Sequence, residues 1–157
     1  MSWGFAVLLT AVTIATSGYI AWFFEGARKN DWRWVGKDSR DTYVRIADTM
    51  ITSSGIAVTL LMTLGRSSTP RWMLHRATLA LVVSIVFTVF FILIFVRNAE
   101  VAMARHSDEC ARKGTGNGGG IGPLTNKQLL WTLLTAWVAV TSFLWGFLYL
   151  GRLALRI

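Results

Sequence analysis

Four stretches of this chain each run for about 20 residues with few or no charged side chains, the length an α-helix needs to cross the hydrocarbon of a bilayer. No water is available there, so a spanning backbone must satisfy its own hydrogen bonds, and a helix does this without help from neighbouring segments. The first stretch, residues 3–24, reads WGFAVLLTAVTIATSGYIAWFF, uncharged and aromatic at both ends. Trp3 and Trp22 suit the two headgroup regions. The second, about 43–65, is the most polar: it carries Arg45, Asp48 and a run of hydroxyl residues. The third, 76–97, is uncharged between Arg76 and Arg97 and apolar around its whole circumference, which predicts a helix turned outward to lipid. The fourth, 127–151, is announced by Thr125-x-x-Gln128 after Pro123, the pattern of a capping box. The expectation is all-α: an integral membrane four-helix bundle forming one domain over residues 1–157.

The segments between the spans are basic. Beyond Val96, Arg105 with Glu109, Asp108 with Arg112 and Glu109 with Lys113 keep i,i+4 spacing, so the third helix is expected to extend beyond the membrane. It should end at GTGNGGGIGP, residues 114–123, a glycine-rich hinge into the fourth span. In the first loop Trp32 and Trp34 sit among charges and suit a segment lying along the headgroups. Loop 25–42 with the start of the second span carries Arg28, Lys29, Arg33, Lys37, Arg40 and Arg45, and loop 98–126 with its flanks carries Arg97, Arg105, Arg112, Lys113 and Lys127. The opposite side has Arg66, Arg71 and Arg76 in the second loop and Arg152 and Arg156 near the C-terminus. This imbalance makes the first and third loops cytoplasmic-type and puts both termini outside, although the acid-free second loop pulls the other way. The net charge of +8 is spread around apolar runs, a distribution that suits anionic lipid and not nucleic acid. Met1-Ser2-Trp3 offers no basic n-region and Trp22-Phe23-Phe24-Glu25 no small-residue cleavage site, so the first span is expected to be retained as an anchor. Localisation is therefore read as integral and multi-pass, in a bacterial-type plasma membrane.

The second span holds the feature with most functional content. Asp41, Arg45, Asp48, Thr52, Gly55, Thr59 and Met62 are spaced four, three, four, three, four, three, and so share one helix face. Facing lipid, such a face is costly. It is expected to point at other helices or at a water-filled path, with Asp48 as the charged element and Thr52 and Thr59 as oxygen ligands or donors. The alternative is interhelical glue, with Asp48 paired to Arg45 and small Ser53, Ser54 and Gly55 permitting close packing. On the first span Thr10, Thr13 and Ser17 share a face expected to pack on the second. Thr132, Thr135, Ala136, Ala139 and Gly146 offer a similar surface on the fourth.

No complete site for catalysis or a cofactor emerges. His75 and His106, the two histidines, are separated by 31 residues, roughly 45 Å on one continuous helix, too far to share a haem or a metal ion within one chain. Cys110 stands alone, so neither an internal disulfide nor a cysteine metal motif is available. Gly114, Gly116 and Gly119 spell G-x-G-x-x-G, but the run follows a charged helix and lacks the βαβ unit that phosphate binding requires. No catalytic, cofactor or metal residue is assigned, and enzymatic activity is not expected. Three functions remain. The first is an oligomeric pore or membrane-permeabilising effector, placed ahead because it gives the polar stripe a role beyond packing. The second is an accessory or assembly subunit of a larger membrane complex. The third is a small transporter using Asp48. The expected partners are the lipid bilayer and either further copies of the chain or other membrane subunits.

Overall fold

The computed structural model describes residues 3–29, 37–64, 71–113 and 124–155, and among them the chain is four helices and no strands. They are α1 (Trp3–Lys29), α2 (Lys37–Leu64), α3 (Arg71–Lys113) and α4 (Asn126–Ala154). All four are long and apolar enough to cross a membrane. In α3 the uncharged interval 77–96 alone spans about 30 Å, matching a hydrocarbon core. The helix then continues unbroken to Lys113. Thr125 caps α4: its Oγ1 accepts from the Gln128 backbone N–H, while Gln128 Oε1 accepts from the Thr125 N–H at 3.0 Å. The glycine-rich hinge at 114–123 and Trp32 and Trp34 fall outside the described residues, as do the side chains of His106 and Cys110 and those of Glu109 and Lys113, on which the expected Arg105–Glu109 and Glu109–Lys113 pairs depend.

Spatial order differs from chain order. The most extensive packing is between α3 and α4, with α2 resting on α3 and α1 on the far side of α4. Every one of these pairs is antiparallel. Tyr43 meets Phe95 edge-on at 5.6 Å between ring centroids, Asn98 bonds Thr132, Ser84 bonds the backbone of Ala139, and Phe5 meets Tyr149 at 5.0 Å. The main core lies toward the end where Trp3 and Arg71 sit. Leu9 of α1, Ala57 and Leu61 of α2, Met73, Ala77 and Leu81 of α3, and Tyr149 and Leu153 of α4 close on one another there.

One expectation is refined and one corrected. The apolar third helix buries one face, Met73, Ala77, Leu81, Ser84, Thr88, Phe95, Ala99 and Ala102, against its neighbours α2 and α4, while Leu79, Val82, Val86, Val89, Phe90 and Leu93 stay exposed as the outward face. Lipid is as apolar as leucine, so hydrophobicity does not drive helices together in a membrane, whereas small residues let backbones approach. Ala77, Ser84, Ala99 and Ala102 form that approach surface. At Gly146 of α4 the approach is so close that an added Cβ would stand 2.5 Å from Leu81 Cδ2 and 2.6 Å from Leu81 Cγ. The correction concerns α1, which packs on α4, and whose backbone does not come close to that of α2 among the described residues. It is the least buried of the four spans. A polar link from α1 to the bundle is the hydrogen bond between Thr16 and Thr141, 3.1 Å between hydroxyl oxygens. Thr16→Val should loosen α1 by about 0.6 kcal/mol, the average for such bonds in membranes, seen as faster proteolysis or faster exchange confined to residues 3–29.

Hydroxyls also line the interior. Ser84 Oγ, fully buried, donates to the Ala139 carbonyl at 3.0 Å, and Thr88 donates back to the Ser84 carbonyl at 2.7 Å. Ser54, equally buried on α2, has no hydrogen-bond partner for its Oγ among the described residues. An unpaired buried hydroxyl carries a desolvation cost with no compensating bond. Ser54→Ala should therefore stabilise the bundle by about 1 kcal/mol, measured by unfolding in mixed detergent; a loss of stability would mean that the hydroxyl has a partner.

Candidate functional site: the outward face of the second helix

The face of α2 that meets the bundle consists of Ala47, Ser54, Ala57 and Leu61. The polar stripe lies on the other side. Arg45, Asp48, Thr52, Thr59 and Met62 are exposed, and Gly55 is half-buried with nothing within 4 Å of where a Cβ would stand. None of the described helices covers this face.

Depth follows from the antiparallel register. With Tyr43 level with Phe95, Asp41 falls near Arg97, where the uncharged interval of α3 ends. Counting inward at 1.5 Å per residue places Asp48 about 10 Å inside that edge, Thr52 about 16 Å and Thr59 about 27 Å. Asp48 is thus deeper than one helical turn, and the stripe crosses nearly the full hydrocarbon thickness. An aspartate facing lipid near the centre of a span costs about 2.5–3.5 kcal/mol.

On the stripe, Thr59 Oγ1 donates to the Gly55 carbonyl at 3.0 Å; elsewhere on α2, Thr49 Oγ1 donates to the Arg45 carbonyl at 2.8 Å, Ser53 Oγ to the Thr49 carbonyl at 2.7 Å and Thr63 Oγ1 to the Leu60 carbonyl at 2.8 Å. With its proton used within the helix, the Thr59 oxygen offers lone pairs outward, whereas the Thr52 hydroxyl can donate or accept. Together with the Asp48 carboxylate they make a mainly accepting surface, chemically suited to cations and to N–H or O–H donors.

The first-span residues behave differently. Thr10 and Ser17 are exposed and donate into their own helix, to Ala6 at 2.9 Å and Thr13 at 2.7 Å; Thr13 is half-buried and donates to Leu9 at 2.9 Å. The structure does not bring them together with the α2 stripe. The fourth helix does bury Thr132, Thr135, Ala139 and Gly146, in its packing with α3. Sequence reasoning passed over Asn98, whose Nδ2 donates to Thr132 Oγ1 at 3.1 Å across the α3–α4 seam. It stands one position beyond Arg97, at the start of the segment whose sequence reads as a loop. A lone amide at the end of an apolar run was the signal available.

α3 is continuous through residues 75 and 106, and among the described residues no three His, Cys, Asp or Glu side chains converge as metal ligands. Four antiparallel apolar helices with polar ends define a polytopic α-helical membrane protein. No family model, no curated protein and no solved structure matches the chain.

Proposed function

We propose that this chain is the subunit of an oligomeric pore in which copies of α2 turn their acceptor stripes toward a shared water-filled path. The observation that carries it is the placement of Arg45, Asp48, Thr52, Gly55 and Thr59 on an uncovered face at successive depths through the membrane. A polar face of that length is costly against lipid, and several copies sharing a path would hydrate it. Because Asp48 faces away from its own bundle, any path it serves includes a surface from another chain. Carboxylate and hydroxyl oxygens favour cations, and Arg45 at the mouth adds a positive ring outside the Asp48 level.

Purified protein in liposomes should conduct at protein-to-lipid ratios where oligomers form, with cations preferred. Sealed vesicles at high protein loading would remove the proposal.

A second reading, an accessory subunit of a larger membrane complex, is favoured by a different observation. A fissure of about 270 Å³ opens between α1 and α4, lined by Ser17, Ile20, Phe24, Leu130, Leu134 and Trp137 among others. Trp137 Nε1 is buried without an acceptor among the described residues. A partner helix carrying a carbonyl or hydroxyl acceptor would fill both. Under this reading the chain is recovered from native membranes with an unlike subunit, and Trp137→Phe weakens that association.

A further inference from the structure

We infer that the crevice between α3 and α4 at the basic edge of the bundle holds the phosphate of an anionic phospholipid. The crevice, about 370 Å³, is lined by Ile94, Arg97, Asn98, Val101, Lys127, Gln128 and Trp131. Its position fits a headgroup. Arg97 closes the uncharged interval of α3, Lys127 lies in the first turn of α4, and Trp131 stands exposed one turn further in, where an indole ring suits the water–lipid boundary.

Its charge is of one sign. Arg97 and Lys127 both line the crevice and no carboxylate does; Glu100, the nearest acid in sequence, is exposed but is not among the lining residues. Neither cation is committed to an ion pair among the described residues. The polar floor is fixed by its own bonds. Asn98 Nδ2 reaches Thr132 Oγ1 at 3.1 Å and the Gln128 carbonyl at 3.4 Å, tying the two helices together beneath the opening. Gln128 turns its Oε1 to the Thr125 cap, at 3.0 Å from the backbone nitrogen and 2.9 Å from Oγ1, which leaves its amide N–H₂ as the uncommitted end.

Two cations and an amide donor around one opening match a phosphodiester, since guanidinium and ammonium groups give charge-assisted bonds to its oxygens. On the inner side, Ile94 and the Trp131 ring supply an apolar wall for the first carbons of an acyl chain. The occupant is a lipid and not a soluble anion because the opening sits at hydrocarbon level on one side and headgroup level on the other. This edge also leads into the first and third loops with their surplus of Lys and Arg, the charge bias expected of the side that faces an anionic leaflet. The inference is independent of whether α2 lines a pore.

The test is native mass spectrometry of the full-length protein purified in mild detergent and offered equal amounts of phosphatidylglycerol and phosphatidylcholine. The wild-type chain should retain phosphatidylglycerol preferentially. Arg97→Gln with Lys127→Gln should lower that preference about tenfold or more, as two basic side chains at an anionic surface imply. Lys127→Gln alone, an exposed site that folding tolerates, should lower it about fivefold. Arg71→Gln with Arg76→Gln, at the opposite edge, should leave it unchanged. An unaltered preference in the Arg97 and Lys127 variants overturns the assignment, and so does an equal loss in the Arg71 and Arg76 control. Displacement of the lipid by millimolar inorganic phosphate would make this a soluble-anion site. A dimer that dissolves in the double variant would make it an interface between copies.

Discussion

With Cys110 replaced by Ser, a cysteine introduced by Thr52→Cys is expected to react with a charged, membrane-impermeant thiol reagent in reconstituted protein, and the reaction to stop most of the ion flux. One introduced by Ser54→Cys should stay unmodified. The two positions are a fraction of a turn apart in sequence yet on opposite sides of α2, Thr52 exposed and Ser54 fully buried. A charged reagent reaches mid-membrane only through water, so reactivity at residue 52 separates a hydrated path from lipid or a protein seam. Asp48→Asn in the same assay should lower the preference for cations over anions about tenfold, the low end of what one focused charge does to local ion concentration. Protection at both positions, with selectivity unmoved by Asp48→Asn, would leave the stripe as a packing surface and reject the pore.

Gly146→Leu should break the pairing of α3 with α4 and release most of the bundle. The reason is geometric: a bare Cβ at this position already stands 2.5 and 2.6 Å from Leu81 atoms and 3.4 Å from the Leu81 backbone nitrogen, and Leu81 is itself fully buried. Even Gly146→Ala should cost about 1–3 kcal/mol, the usual range for overpacking, read from the midpoint of detergent unfolding. Adding Leu81→Ala opens room, so the double variant should be less unstable than the two single effects combined predict. Strict additivity would mean that the helices separate without strain and that Gly146 is not the closest approach. By contrast Gly55, with open space around it, should accept alanine with little effect on the isolated chain.

The spans were legible because hydrocarbon imposes a length, and the four helices cover the four apolar stretches. The capping box was legible too, since Thr125 and Gln128 act on neighbouring backbone and need nothing distant. The arrangement of the helices was less legible. A helix that is apolar all round, as α3 is between Arg76 and Arg97, fits lipid and protein interior equally well, and the stronger signal was its row of small residues. Ala77, Leu81, Ser84, Thr88, Phe95, Ala99 and Ala102 repeat at four and three, with alanines and hydroxyls where backbones must meet. The α2 stripe was legible as a face. The side to which it turns was not, because direction depends on which neighbours arrive: α3 takes the side with Ala47, Ser54 and Ala57, leaving Asp48 and Thr52 outward. The crevice at Arg97 escaped for a related reason, as Arg97 and Lys127 are 30 positions apart and meet only when α3 and α4 fold back on each other.

The seat of α1 on α4 has a consequence for biogenesis. The ribosome finishes α1 roughly a hundred residues before α4 begins, an interval of about 5–20 s at ordinary elongation rates. Throughout that time the newborn segment has no intramolecular docking site, since the next helix to emerge is not its neighbour. It must wait in the bilayer, or beside the insertion machinery, until the last span completes its berth.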